Sequence, residues 1–403
     1  MNRSSGWQNN RYRGTGGLGV GGTVALVLAA AALMVTAGCF LLDREEPEPD
    51  PAVPVQGSPM PAPEPEGGEE ASLSAVPQGV RGIYISGPVA GDPYMDQLLA
   101  LVDETELNAV VIDIKNDEGR LTYRPDSGTA LEIGACVRYI GDLPALMGKL
   151  KERDIYTIAR VAAFKDPVLA EARPELALHY QDGSPVKEGA AWVNPCNPAV
   201  WDYLEEVALA AVDVGFDEVQ FDYVRFPTGK AMDRLDYGTS EEVVRTDVIA
   251  GFLERVTASV HERGARVSAD VFGTVITNQT DAELIGQDYV RLGKIVDYIC
   301  PMVYPSHYSS GTFGLDVPDR EPYQTVFAAM TDSRRAFSAQ GMEQEGVRAW
   351  LQDFTATWVN GHLDYGAEEL RAQIQAVYDA GYTDWLLWNA KNSYTADGLL
   401  KAD

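Results

Sequence analysis

Between Phe216 and Pro227 apolar and polar side chains alternate. Val219, Phe221 and Tyr223 fall on one face, and Glu218, Gln220 and Asp222 fall on the other. In isolation this is a half-buried antiparallel strand with its polar side in water. Its flanks point elsewhere. Asn197-Pro198 opens a helical pattern as N-cap and first helical residue, Gly215 closes it, and an amphipathic segment from Glu241 to Arg263 follows. A strand between two helices belongs to a parallel βαβ unit, whose outer face is covered. The acidic face is therefore predicted to line a closed barrel near its C-terminal mouth, where carboxylates are costly unless paired or used.

The same theme recurs from Arg81 onward. Strands are predicted at about 81–86, 108–114, 155–161, 217–223, 266–271, 297–303, 347–352 and 383–388, separated by amphipathic helices and by charged or glycine turns. Eight such units over residues 79–403 predict a (β/α)8 TIM barrel, a fold of about 250 residues. A doubly wound sheet would want a phosphate-binding glycine loop after its first strand, and Ser86-Gly87-Pro88 is not one.

Barrel chemistry sits where strands end. Those ends carry Tyr84 and Ser86; Asp113, Lys115 and Asp117; Arg160; Asp222 and Arg225; Asp270; Tyr304, Ser306 and His307; Gln352 and Asp353; and Trp388 and Asn389. The opposite strand ends show no comparable polar cluster in the sequence.

The N-terminal part reads differently. Arg3, Arg11 and Arg13 precede an apolar run from Val20 to Val35 and the small residues Ala37-Gly38-Cys39, so residues 1–39 are expected to be an export signal or membrane anchor. Ala37-Gly38-Cys39 also resembles a bacterial lipoprotein signal, which implies lipidation of Cys39. Residues 40–78, rich in Pro and Glu, are expected to form a disordered, extended tether. Gly14-Thr15-Gly16-Gly17-Leu18-Gly19 fits a dinucleotide fingerprint, but no strand precedes it and it carries no weight. The domain is thus expected outside the cytoplasm, tethered to the bacterial cell membrane.

Composition narrows the partners. A formal charge of -28 over 403 residues argues against nucleic acid, which is held by a basic face. Four cysteines are too few for a disulfide scaffold. Cys136 with Cys196 could be bridged, or Cys136, Cys196 and Cys300 could all be free thiols packed as small hydrophobes. No cofactor and no metal is expected, and the protein is expected to be a monomer.

Arg81-Gly82-Ile83-Tyr84, Val111-Ile112-Asp113-Ile114-Lys115, the Phe216–Pro227 stretch, Ser268-Ala269-Asp270-Val271-Phe272-Gly273 and Pro301-Met302-Val303-Tyr304-Pro305-Ser306-His307-Tyr308 resemble the bacterial "putative glycoside hydrolase" family of exported TIM-barrel proteins. The resemblance covers roughly residues 80 to 398. It implies a barrel related to the alpha-amylase and alpha-galactosidase groups, in which an Asp at the end of strand four is the nucleophile. Asp222 matches that position. Many relatives place an acidic Glu on strand five, where this chain has Asp270.

Glycoside hydrolysis needs two carboxyl groups flanking the scissile bond, one ionised and one protonated. Asp222 is the candidate nucleophile or base and Asp270 the candidate acid, on adjacent strands. Arg160 or Arg225 could hold the Asp222 carboxylate, and Asp113 with Lys115 could form a buried ion pair lining the pocket. Tyr84, Trp192, Gln220, Tyr304, His307, Gln352, Trp388 and Asn389 complete the candidate sugar-binding set, with Trp358 a further aromatic near the loops. For each of these, a purely structural role is the alternative.

A polysaccharide or oligosaccharide is the expected substrate. The rival reading is a non-catalytic carbohydrate-binding barrel of the cell surface. A metal-dependent deacetylase is disfavoured because the four histidines include no H-x-x-x-H or H-E-x-x-H pair, and a serine hydrolase because no G-x-S-x-G elbow is present.

Overall fold

The computed structural model describes residues 73, 75–125, 128–186, 191–229, 231–342 and 346–402. The expected signal or anchor with Cys39, and most of the expected tether, lie outside these residues. Eight parallel strands close into a barrel: β1 (Arg81–Ile85), β2 (Ala109–Lys115), β3 (Tyr156–Ala162), β4 (Glu218–Asp222), β5 (Arg266–Phe272), β6 (Tyr298–Met302), β7 (Arg348–Gln352) and β8 (Asp384–Trp388). Each begins and ends within two residues of its predicted span. Closure is made by β1 on β8, with Gly82 opposite Leu386, and it removes the doubly wound alternative. A Cβ on Gly82 would stand 2.8 Å from the Leu386 side chain, so a larger residue would crowd the closing seam.

Local signals explain the helices that frame β4. The Asn197 side chain accepts from the Ala199 N–H, Pro198 supplies the first turn, and Gly215 takes a left-handed φ of 110° at the end of helix Pro198–Val214. The helix after β4 runs Arg245–Glu262 and buries Ile249, Phe252, Leu253, Val256 and Val260 against the sheet. That outer layer between helices and strands is the main core. A second, smaller apolar cluster fills the barrel itself, from Val111 and Ile158 to Cys300, Trp350 and Leu386. Cys136, Cys196 and Cys300 are free thiols, so the Cys136–Cys196 bridge is not formed.

The lower end of the barrel corrects one expectation. Glu218 is fully buried there and accepts from Arg348 at 2.7 Å, Ser268 at 2.5 Å and Tyr156 at 3.0 Å, while Arg348 lies 4.0 Å from the Tyr298 ring centroid. The sequence hides this cluster because its members are scattered singly over five strands. Its charges are matched and enclosed, which suits a structural plug.

Candidate active site

At the upper end, alternation aims Asp113, Arg160, Asp222, Asp270 and Trp388 inward from consecutive parts of the sheet. Phe221 stands opposite Ala269 in the β4–β5 ladder, so Asp222 and Asp270 fall at matching positions on neighbouring strands. Both line one small, narrow pocket with Met302, Tyr304, Trp350 and Trp388, with a cavity volume of about 20 Å³.

The two carboxyls stand in different surroundings. Asp222 Oδ2 accepts from Arg160 Nε at 3.1 Å and Nη2 at 2.5 Å, and its Oδ1 accepts from the Tyr223 N–H at 2.6 Å. Every one of these partners is a donor, which sets Asp222 as an acceptor on the pocket floor. Tyr223 reaches it with a φ of 50°, a backbone region that bulky residues rarely occupy. The kink breaks the strand alternation at the last apolar position.

Asp270 is almost fully buried, and burial raises its pKa well above the ordinary range, with the negative charge of Asp222 adding to the rise. Trp350 Nε1 donates to its Oδ1 at 2.7 Å. An indole N–H cannot accept, so the proton of a neutral Asp270 belongs on Oδ2, the oxygen left for the pocket. The sequence reading missed Trp350. The signal was available: it sits between Arg348 and Gln352 on the inward face of β7.

A measurable consequence follows for stability. A carboxyl whose folded-state pKa is raised favours the fold fully below its unfolded value, and that contribution is lost as pH rises through the folded value. The Asp270→Asn protein does not titrate there. Its melting temperature relative to wild type should therefore hold a constant offset below the ordinary value of about 3.8 and climb as pH rises from there towards the raised value. A difference that stays flat over the whole range, read by calorimetry, would contradict a buried neutral Asp270.

Arg160 joins the site together. Besides Asp222, it donates through Nη1 to Asp113 Oδ1 at 2.5 Å, and Tyr84 donates to Asp113 Oδ2 at 2.6 Å. Burial raises the Asp113 pKa, opposed by Arg160. The guanidinium also lies under Tyr84 and Trp388, which stack at 4.2 Å. Tyr84, Asp113, Arg160, Tyr304 and Trp388 are thus gathered at or directly behind the pocket.

Other expected site residues are placed elsewhere. Lys115 does not pair with Asp113: the β2–β3 register shifts between them, and Lys115 is buried against the Ala162 carbonyl at 2.6 Å and Asp166 at 2.9 Å. Arg225 does not touch Asp222; its guanidinium lies 4.9 Å from Trp192, 4.8 Å from Phe272 and 5.4 Å from Tyr223, and it bonds the Phe226 carbonyl. Trp192 is consequently buried in that stack. Gln220 points inward one layer below Asp222 and donates to Cys300 Sγ at 3.4 Å. The Gln352 side chain is consumed by the Ser306 N–H, Asp319 and the Phe354 carbonyl. Asn389 ties down the last loop through the Asp353 and Ser393 carbonyls and the Lys391 N–H. These groups hold the walls of the site; the side-chain polar atoms of Gln352 and Asn389 are already taken by the protein, whereas Gln220 Oε1 is buried with no hydrogen-bond partner. His307 packs on Tyr304, and burial lowers its pKa to about 4, so it is neutral at pH 7.

A closed (β/α)8 barrel with two acids at neighbouring strand ends has the architecture of a glycoside hydrolase, and the sequence places the chain in that class. The family model described as "Putative glycosyl hydrolase domain" matches residues 82–394, and the chain belongs to that family. Among solved structures, the chain is similar to the PgaB (BpsB) glycoside hydrolase domain from Bordetella bronchiseptica, at 14% identity and a TM-score of 0.57, covering 78% of this chain and 94% of that one. The C-terminal domain of a "putative chitinase" from Desulfitobacterium hafniense DCB-2 is similar at 14% identity and a TM-score of 0.50, covering 79% and 97%. A hypothetical protein from Ruminiclostridium thermocellum ATCC 27405 shares 33% identity over 47% of this chain and 97% of its own, with a TM-score of 0.42. No curated protein matches the sequence. At such low identity the first two likenesses concern the fold.

Proposed function

We propose that the domain hydrolyses a glycosidic bond in a polysaccharide or oligosaccharide by a two-carboxylate mechanism, with Asp222 as nucleophile and Asp270 as general acid. The observation that carries this reading is the unlike environment of two acids sharing one pocket: Asp222 held by donors alone, Asp270 buried and contacted by the Trp350 N–H at one oxygen. Asp270 protonates the leaving oxygen while Asp222 attacks the anomeric carbon; water then resolves the glycosyl-enzyme, with Asp270 acting as base. Matching positions on adjacent strands, about 4.8 Å apart, favour the short carboxyl separation of about 5–5.5 Å that goes with retention. Activity should fall as pH rises through the Asp270 pKa, because the acid is lost.

The test is incubation with a panel of bacterial and plant polysaccharides, following reducing ends and the anomeric proton by NMR. Release of product with retained configuration is expected. An inverted product would remove Asp222 as nucleophile, and binding without release from any polymer would favour the non-catalytic carbohydrate-binding barrel.

We further propose export and membrane tethering through residues 1–39, on the strength of the basic, apolar and Ala37-Gly38-Cys39 sequence pattern. Fractionation of the native host checks it: a Cys39→Ser protein that stays in the membrane fraction with no attached lipid in either form would rule out lipidation.

A further inference from the structure

Tyr304 lines the pocket, and a line of rings leads outward from it. His307 packs on Tyr304 at 5.2 Å, Trp358 stands perpendicular to His307 at 6.4 Å, and Phe354 stacks beneath Trp358 at 5.9 Å with 28° between planes. Trp358 belongs to the loop after β7, on the same end of the barrel as the two acids. Its side chain is 47% exposed, although Phe354 and His307 hold it in place. The exposed half of a large apolar ring gains nothing for the fold. Rigidly backed at the rim of a pocket, it offers a flat face for a ligand.

We infer that Trp358, backed by Phe354 and His307, is a sugar-stacking platform that binds chain units beyond the scissile bond, so that the substrate is an oligosaccharide or polymer and not a simple glycoside. The inference rests on the hydrolase reading of the pocket and adds the length of chain that the site grips. The chemistry of the track decides the occupant. Its exposed part is an aromatic ring, so contact is made with the C–H face of a pyranose. Tyr304 to His307 is 5.2 Å and His307 to Trp358 is 6.4 Å, and Trp358 is not among the residues that line the pocket, so it stands beside the two acids and not between them.

Binding measured without turnover separates this inference from the hydrolase reading. In an Asp222→Asn background, calorimetry with α-1,4-glucose and β-1,4-linked glucose, mannose and N-acetylglucosamine oligosaccharides of two to six units compares Trp358→Ala and Trp358→Phe. Thermal melting checks that each variant folds. For any series that binds, affinity for the hexasaccharide should fall about tenfold in Trp358→Ala and about threefold or less in Trp358→Phe, with the disaccharide unaffected. Equal hexasaccharide affinity with and without the indole would overturn the platform, as would the absence of binding by every series. Ring-dependent binding together with a wild-type protein inert on every polymer would support the platform and overturn hydrolysis alone.

Discussion

The Asp222→Asn protein should still fold, with some loss of stability, and release reducing ends at least about a thousandfold more slowly per folded molecule than wild type from whichever polymer proves to be the substrate. The amide keeps the shape of the carboxyl and its one oxygen can still accept from Arg160, but its NH2 then faces the Tyr223 N–H, so that backbone bond is lost while Asp113 still pairs with Arg160. It cannot form the covalent glycosyl bond, and losses of two to four orders of magnitude are usual when even a positioned proton-transfer group is removed. A structural role alone would give a different pattern: lower stability with turnover per folded molecule kept. Retained turnover in a correctly folded Asp222→Asn protein would remove the residue from the chemistry.

Replacing Arg160 by Met should cost stability on the order of 3–5 kcal/mol, the usual penalty for deleting one partner of a buried ion pair. Arg160 is nearly fully buried and is the cation shared by Asp113 and Asp222. Its loss leaves two enclosed carboxyls without their counter-charge and takes the support from beneath the Tyr84–Trp388 stack. For a domain of this size the melting temperature should drop by roughly 4–7 °C. Arg160→Lys should recover only part of it, because one ammonium cannot reproduce the fork that binds two carboxyls at once. A melting temperature within a degree or two of wild type would mean that the cluster adds little to the fold. Activity should fall alongside, since Asp222 would lose the group that holds it.

Much of this architecture was legible in one dimension. Periodicity switches from two to about three and a half at each βα junction, and Asn197-Pro198 and Gly215 mark a helix by their own local chemistry. Eight such units leave few ways to cover every strand face. The pairing of Asp222 with Asp270 was also readable, because in a parallel barrel consecutive strands are neighbours and equal distance from the strand end means equal height.

Partner choice among charged groups was not readable. Arg160 and Arg225 are both near strand ends, yet one lies beneath two carboxyls and the other among three aromatic rings. Asp113 and Lys115, two residues apart, were expected to share a face, and a shift in the β2–β3 register parts them. The plug of Glu218 and Arg348 joins residues 130 positions apart. Gln352 and Asn389 look like sugar ligands in sequence because nothing there shows which hydrogen bonds the protein itself consumes.

The sequence by itself determined the barrel, its strand order and the pair of acids at one rim, because these depend on periodicity, short-range capping and chain connectivity. Only the tertiary structure decided which cation holds Asp222, that Trp350 fixes the orientation of Asp270, and which polar groups remain free for a ligand. Those outcomes depend on contacts between distant strands, where burial makes each unpaired charge costly and a register shift of one residue exchanges one partner for another.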